Sequence, residues 1–133
     1  MHKETIKYTD YNGTERKEDH YFNLNKAEIM EMELGTTGGL DAKIKKITDT
    51  MDAPAIMKFF KDIILKSYGV KSDDGKRFIK SDELSKEFEQ TEAYSELFMK
   101  LVTDDKAAAK FINETLPKID DSSKTTPAVK AKK

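Results

Sequence analysis

The chain opens on an alternation. Ile6 and Tyr8 fall between Thr5, Lys7 and Thr9, a period of two that predicts a half-buried strand. Asp10-Tyr11-Asn12-Gly13 follows, and Asn-Gly is a strong short hairpin signal because both residues tolerate positive φ. The return run from Thr14 to Leu24 is polar until His20-Tyr21-Phe22, so its charged beginning predicts an exposed edge. An isolated hairpin is marginal in water. This one, at about residues 4–24, is therefore expected to lie on helices.

Beyond it the period changes to that of helices. Asn25, with Glu28 three residues on, predicts an N-cap with a capping box for a helix from Lys26 to Leu34. Ala27, Ile29, Met30, Met32 and Leu34 do not share one stripe, which predicts an irregular end. The glycine-rich run 35–39 predicts a flexible loop. Leu40, Ile44, Ile47 and Met51 form a clean amphipathic stripe and predict a second helix over about 40–51.

Asp52 predicts the cap of a third helix, with Pro54 in its first turn, where a missing N–H costs nothing. Ile56, Met57, Phe59, Phe60, Ile63, Ile64 and Tyr68 make that helix apolar around much of its circumference, the mark of a central element. Gly69 fits its C′ position. Residues 70–79, around Asp73-Asp74-Gly75, fit a second small hairpin flanked by Val70 and Phe78-Ile79. Ser81, Thr91 and Thr103 or Asp104 predict the caps of three more helices, the last stopped by Pro117.

The resulting fold class is mostly α, with a minor β part in the N-terminal hairpin. Residues 1–117 form the expected folded domain. Residues 118–133 hold one Ile and one Val among Lys, Asp, Ser, Thr, Pro and Ala. They cannot bury enough surface to offset ordering entropy and are expected to be disordered.

Composition narrows the function classes. In 133 residues, 37% are hydrophobic and 37% charged, enough for one modest core under a charged surface. The absence of Cys excludes a disulfide scaffold and a thiolate zinc site. No apolar run follows the charged start, so no secretory signal is expected, and no stretch approaches a membrane span. Net charge is −1, but the tail from Lys118 carries five Lys and two Asp, a net of +3, which leaves −4 for the remainder. With no clustered basic run before Lys118, no nucleic-acid partner is expected.

The residues that could carry chemistry do not converge. His2 sits at what reads as a frayed terminus, and His20 reads as a structural or exposed histidine on a strand. No HExxH or CxxC motif occurs. The loop 35–39 lacks the Lys-Ser/Thr ending of a phosphate loop and follows a helix, not a strand. Asp73-Asp74-Gly75 lacks the Glu that a calcium loop needs six residues after its glycine, where Ser81 stands. No catalytic, cofactor or metal residue is assigned, and the chain reads as a binding protein, not an enzyme.

Six segments resemble a family of small tail assembly chaperones of long-tailed bacteriophages and prophages. They are Tyr8–Gly13, Tyr21–Glu28, Met30–Leu34, Leu65–Gly69, Arg77–Ser81 and Gln90–Phe98, spread over about Ile6 to Pro117. The match lies in overall pattern and order. The resemblance implies a chaperone that binds the tape measure protein, keeps it soluble and is displaced as the tail tube polymerises. It implies the tail tube protein as a second partner, reached in many members through a longer frameshifted product. Adjacent Lys codons can form a run of adenines, so Lys132-Lys133 is the expected place of a slippery site. It also implies host cytoplasm as the location and absence from the mature virion.

Binding would need exposed apolar groups on the helices. Met30, Met32, Tyr94, Phe98 and Met99 are the candidate partner contacts, because flexible Met and large rings suit adaptable grooves. Filling the core is the more common role for each of them. The competing reading is a tail-completion or connector subunit that remains in the particle as a symmetric homo-oligomer.

Overall fold

The structure, a computed structural model, describes residues 1–35, 39–50 and 52–116. The tail from Lys118, the stop at Pro117 and most of the 35–39 loop lie outside the described residues. So do Met51 and the side chains of Leu40, Ile44 and Ile47, the stripe expected of the second helix.

The hairpin consists of β1 (His2–Thr9) and β2 (Glu15–Phe22), antiparallel, with His2 opposite Phe22 and Thr9 opposite Glu15. Its turn is built around Asp10. The Asp10 carbonyl accepts from Gly13 N at 2.9 Å, and its carboxylate accepts from Asn12 N and Thr14 N. Tyr11 and Asn12 are thus the central pair, and Gly13, at φ +80°, takes the left-handed position after them. The glycine was legible, but its place in the turn is one residue later than a two-residue Asn-Gly hairpin would put it.

The helices begin where the caps predicted. In α1 (Lys26–Leu34) the Asn25 side chain accepts from Glu28 N and the Glu28 carboxylate accepts from Asn25 N, both at 2.9 Å. α2 spans Gly39–Thr50. Asp52 caps α3 (Ala53–Ser67), Ser81 caps α4 (Asp82–Glu89), Thr91 caps α5 (Glu92–Thr103) and Asp104 caps α6 (Asp105–Thr115).

Gly69 follows the Tyr68 C-cap of α3, at the expected C′ position, but without the positive φ of a glycine cap. The chain passes through an extended Tyr68 straight into β3 (Tyr68–Lys71), which turns at Gly75 (φ +74°) into β4 (Phe78–Ile79). Gly69 is required for another reason. A Cβ there would stand 2.7 Å from the Phe78 ring and 2.8 Å from the Ile79 carbonyl. Because Tyr21 pairs with Gly69 and Phe22 with Tyr68, the two hairpins join into one antiparallel sheet of order β1-β2-β3-β4. β3 reaches only the end of β2, so the charged stretch 15–18 keeps an open edge.

α5 and α6 lie against β1, α4 against β3, and α3 against α5. The core joins Ile6, Phe22 and Leu24 to Ile29, Phe59, Ile63, Ile64, Phe88, Leu97, Leu101 and Phe111. Phe22 is its hub: Phe111, Phe88 and Tyr68 rings stand 5.3, 5.7 and 5.8 Å away. After β2 the backbone stays tied. Asn23 N donates to the Ser67 carbonyl and Leu24 N to the Thr115 carbonyl. The Ser67 hydroxyl, itself buried, donates to the Ile63 carbonyl at 2.6 Å. α3 is central as expected, except that Met57 faces outward.

His2 is not frayed. It is 4% exposed, and its ring nitrogens each meet a carboxylate at 2.6 Å, Nδ1 that of Glu114 and Nε2 that of Glu4. Its edge meets Phe111 at 5.2 Å.

Candidate functional site

The five candidate contacts fall on two separate helices. Met30 and Met32 lie on α1. Tyr94, Phe98 and Met99 lie on α5, which packs on β1, α3, α4 and α6. The helical period explains how α5 divides its side chains. Ala93, Leu97 and Leu101 are buried, Tyr94 and Phe98 stand half-buried beside them, and Met99 is 53% exposed. Tyr94 and Phe98 extend the core ring chain, Phe88 to Tyr94 and Tyr94 to Phe98, each step 5.9 Å. They therefore stabilise the fold as well as border the surface.

On α1 only Ile29 is buried. Met30 points outward with Leu34 one turn on, whereas Met32 is half-buried. Met32 lines a cleft of about 390 Å3 between α1, α2 and α3. Its apolar walls are Leu24, Met32, Phe59 and Ile63. Its rim carries Glu28, Glu31, Lys43, Asp62 and Lys66. Apolar walls under a rim of both charge signs suit an amphipathic segment, whose apolar side chains enter while its flanking charges find partners. Glu28 fixes one side of this cleft. Besides capping α1, its carboxylate takes both oxygens to Lys80 Nζ, at 2.9 and 2.7 Å, and so fastens α1 to the segment after β4.

Phe59 and Ile63 were legible only as core residues. The signal that could have marked them was the apolar circumference of α3, wider than a single packing face requires. Asp62 and Lys66 join them from α3, the other lining residues come from α1, α2 and the connections at Leu24 and Gly35, and nothing in the spacing announces that these segments meet.

Both histidines pack into the fold, His2 between two carboxylates and His20 against the core rings. His20 packs 5.1 Å from the Phe88 ring, and burial holds its imidazole below the ordinary range against the pull of Glu18 and Asp19. Its Nδ1 and the Thr115 hydroxyl have no hydrogen-bond partner among the described residues. Among those residues no group of three or more His, Cys, Asp or Glu is placed to hold a metal ion, and no helix is long and apolar enough to cross a membrane.

Fold and site together define a protein that presents an apolar cleft between helices, with a sheet as its frame. The family model of the phage tail assembly chaperones matches residues 1–130, and the chain belongs to that family. No curated protein and no solved structure matches it.

Proposed function

We propose that this chain binds the tape measure protein during tail assembly, keeps it soluble, and releases it as tail tube subunits polymerise. The cleft between α1, α2 and α3 carries this reading within the family. A tape measure is a long helical chain whose apolar stripes associate when left bare. A cleft with Leu24, Met32, Phe59 and Ile63 as walls takes side chains of such a stripe and removes them from water. Met30 extends the contact along α1. Tyr94, Phe98 and Met99 offer a second contact on α5. The protein works in the host cytoplasm, is absent from the finished virion, and acts without catalysis.

Co-expression tests it. The tape measure gene product is expected to gain soluble yield in the presence of this chain and to co-purify with it. No gain in solubility, together with a stable ring of this chain alone, would instead favour a connector subunit of the particle. A programmed frameshift near Lys132-Lys133 would add a tube-recruiting extension. A run of adenines at those codons is the expected sign, and codons without a slippery run remove the idea.

A further inference from the structure

The register of the sheet sorts its side chains onto two faces. His2, Ile6 and Phe22 turn toward the helices, so Lys3, Thr5, Lys7 and Thr9 turn away, opposite Tyr21, Asp19, Lys17 and Glu15. The second hairpin extends this outer face with Gly69, Lys71 and Phe78, since Tyr21 pairs with Gly69 and Lys71 with Phe78. Lys3, Lys7, Lys17 and Lys71 are exposed, and among the described residues none of them makes an ion pair.

The cations outnumber the acids on this face. Glu15 stands at the turn end, and Asp19 accepts the Thr5 hydroxyl at 2.6 Å. Lys7 and Lys17 are direct cross-strand partners. Two ammonium groups held opposite each other repel, and a pair of opposite charges there would stabilise the hairpin. At the other end Lys71 Nζ stands 5.2 Å from the Tyr21 ring, whose cross-strand partner is Lys3. The fold thus gathers lysines from three strands around a like-charged pair, and the face sets only Glu15 and Asp19 against its four cations.

We infer that this outer sheet face docks an acidic segment of a partner protein. Carboxylates four residues apart on an extended segment span about 13 Å, the separation of Lys3 from Lys7 along β1. A nucleic acid fits less well. Bases need open ring faces for stacking, and Tyr21 and Phe78 each already carry a lysine ammonium, Lys80 standing 5.7 Å from the Phe78 ring. Lys80 itself is held by Glu28. None of the four free lysines lines the α1–α3 cleft, so the inference stands independently of what that cleft binds.

The test uses fluorescein-labelled poly-L-glutamate, titrated into the full chain at low salt and followed by anisotropy. In the reference chain Lys118, Lys124, Lys130, Lys132 and Lys133 are changed to Gln, so that tail cations do not contribute. Against this reference, Lys7→Glu is expected to weaken binding about tenfold. The same change is expected to raise the melting temperature, because it sets opposite charges across the pair with Lys17. Weaker binding with higher stability cannot come from a damaged fold. Lys71→Glu is expected to weaken binding as well. Binding unchanged by Lys7→Glu, or absent in the reference chain, overturns the proposal. Tighter binding of single-stranded poly-dT than of poly-L-glutamate also overturns it and gives the face to a nucleic acid.

Discussion

His2 Nδ1 lies 2.6 Å from Glu114 Oε1, so the first strand is fastened to the last helix across 112 residues of sequence. The other ring nitrogen meets Glu4, which also receives Lys100 Nζ at 2.7 Å from α5. Through the buried imidazole and Glu4 together, β1 is tied to α6 and α5.

This cluster predicts a pH dependence. Burial alone would push the His2 imidazole down, but its hydrogen bonds to Glu4 and Glu114 outweigh that and place it above its ordinary 6.5. Burial likewise works to raise Glu4, yet the bonds from His2 and Lys100 hold it below its ordinary 4.5. The His2 contribution is therefore complete below pH 6.5 and lost as pH rises through the raised value. That of Glu4 is complete above 4.5 and lost as pH falls through the depressed one. His20, held down by burial, works against the His2 slope, so the difference between wild type and variant is the useful readout. His2→Gln is expected to lower the melting temperature most near pH 6, with the gap narrowing toward about pH 8. A gap that does not vary over this range would count against the imidazolium.

Gly69 predicts a steric cost. An added Cβ meets the Phe78 ring and the Ile79 carbonyl at under 3 Å. Gly69→Ala is expected to destabilise by about 1–3 kcal/mol in denaturant unfolding. Adding Phe78→Ala should recover only part of it, since the backbone oxygen remains. Full recovery would show that the ring alone sets the requirement.

Glu28 serves two structures at once, the α1 cap and the bridge to Lys80. Lys80→Ala removes the bridge and keeps the cap. It is expected to cost at most about 1 kcal/mol, because the pair is partly exposed. Glu28→Ala loses the bridge and the bond from Asn25 N to the Glu28 carboxylate, while the Asn25 side chain still accepts from the backbone N–H of residue 28, and it should cost more. Hydrogen exchange of the α1 amides would read the difference, and equal effects of the two variants would mean the Glu28 carboxylate's half of the capping box contributes nothing.

The apolar candidates should separate stability from binding. Phe22→Ala, at the hub of the core, is expected to cost about 3–5 kcal/mol. Met30→Ala and Met99→Ala, both more than half exposed, should leave stability within about 0.5 kcal/mol while lowering tape measure co-purification. Tyr94 and Phe98 extend the core ring chain, so their removal is expected to cost both. Met variants that change neither property would remove those residues from the contact surface.

The local code of this chain is highly legible. Caps at Asn25, Asp52, Ser81, Thr91 and Asp104 and turns at Gly13 and Gly75 all lie where short-range hydrogen bonding and backbone sterics place them. These depend on residues three or four apart, which sequence spacing states directly. The mostly helical class with a minor β part followed from the same signals, and the family from the order of its segments.

Only the tertiary structure decided what distant residues do to one another. It joined two hairpins through Tyr21 and Gly69, made close packing and not a left-handed turn the reason for glycine at 69, and buried His2 between two carboxylates. It also brought Lys3, Lys7, Lys17 and Lys71 onto one face, although no basic run precedes Lys118 in the sequence. The physical reason is common to all four. A strand's register and a helix's packing partner are chosen by the burial of many side chains together, and no short segment contains that sum.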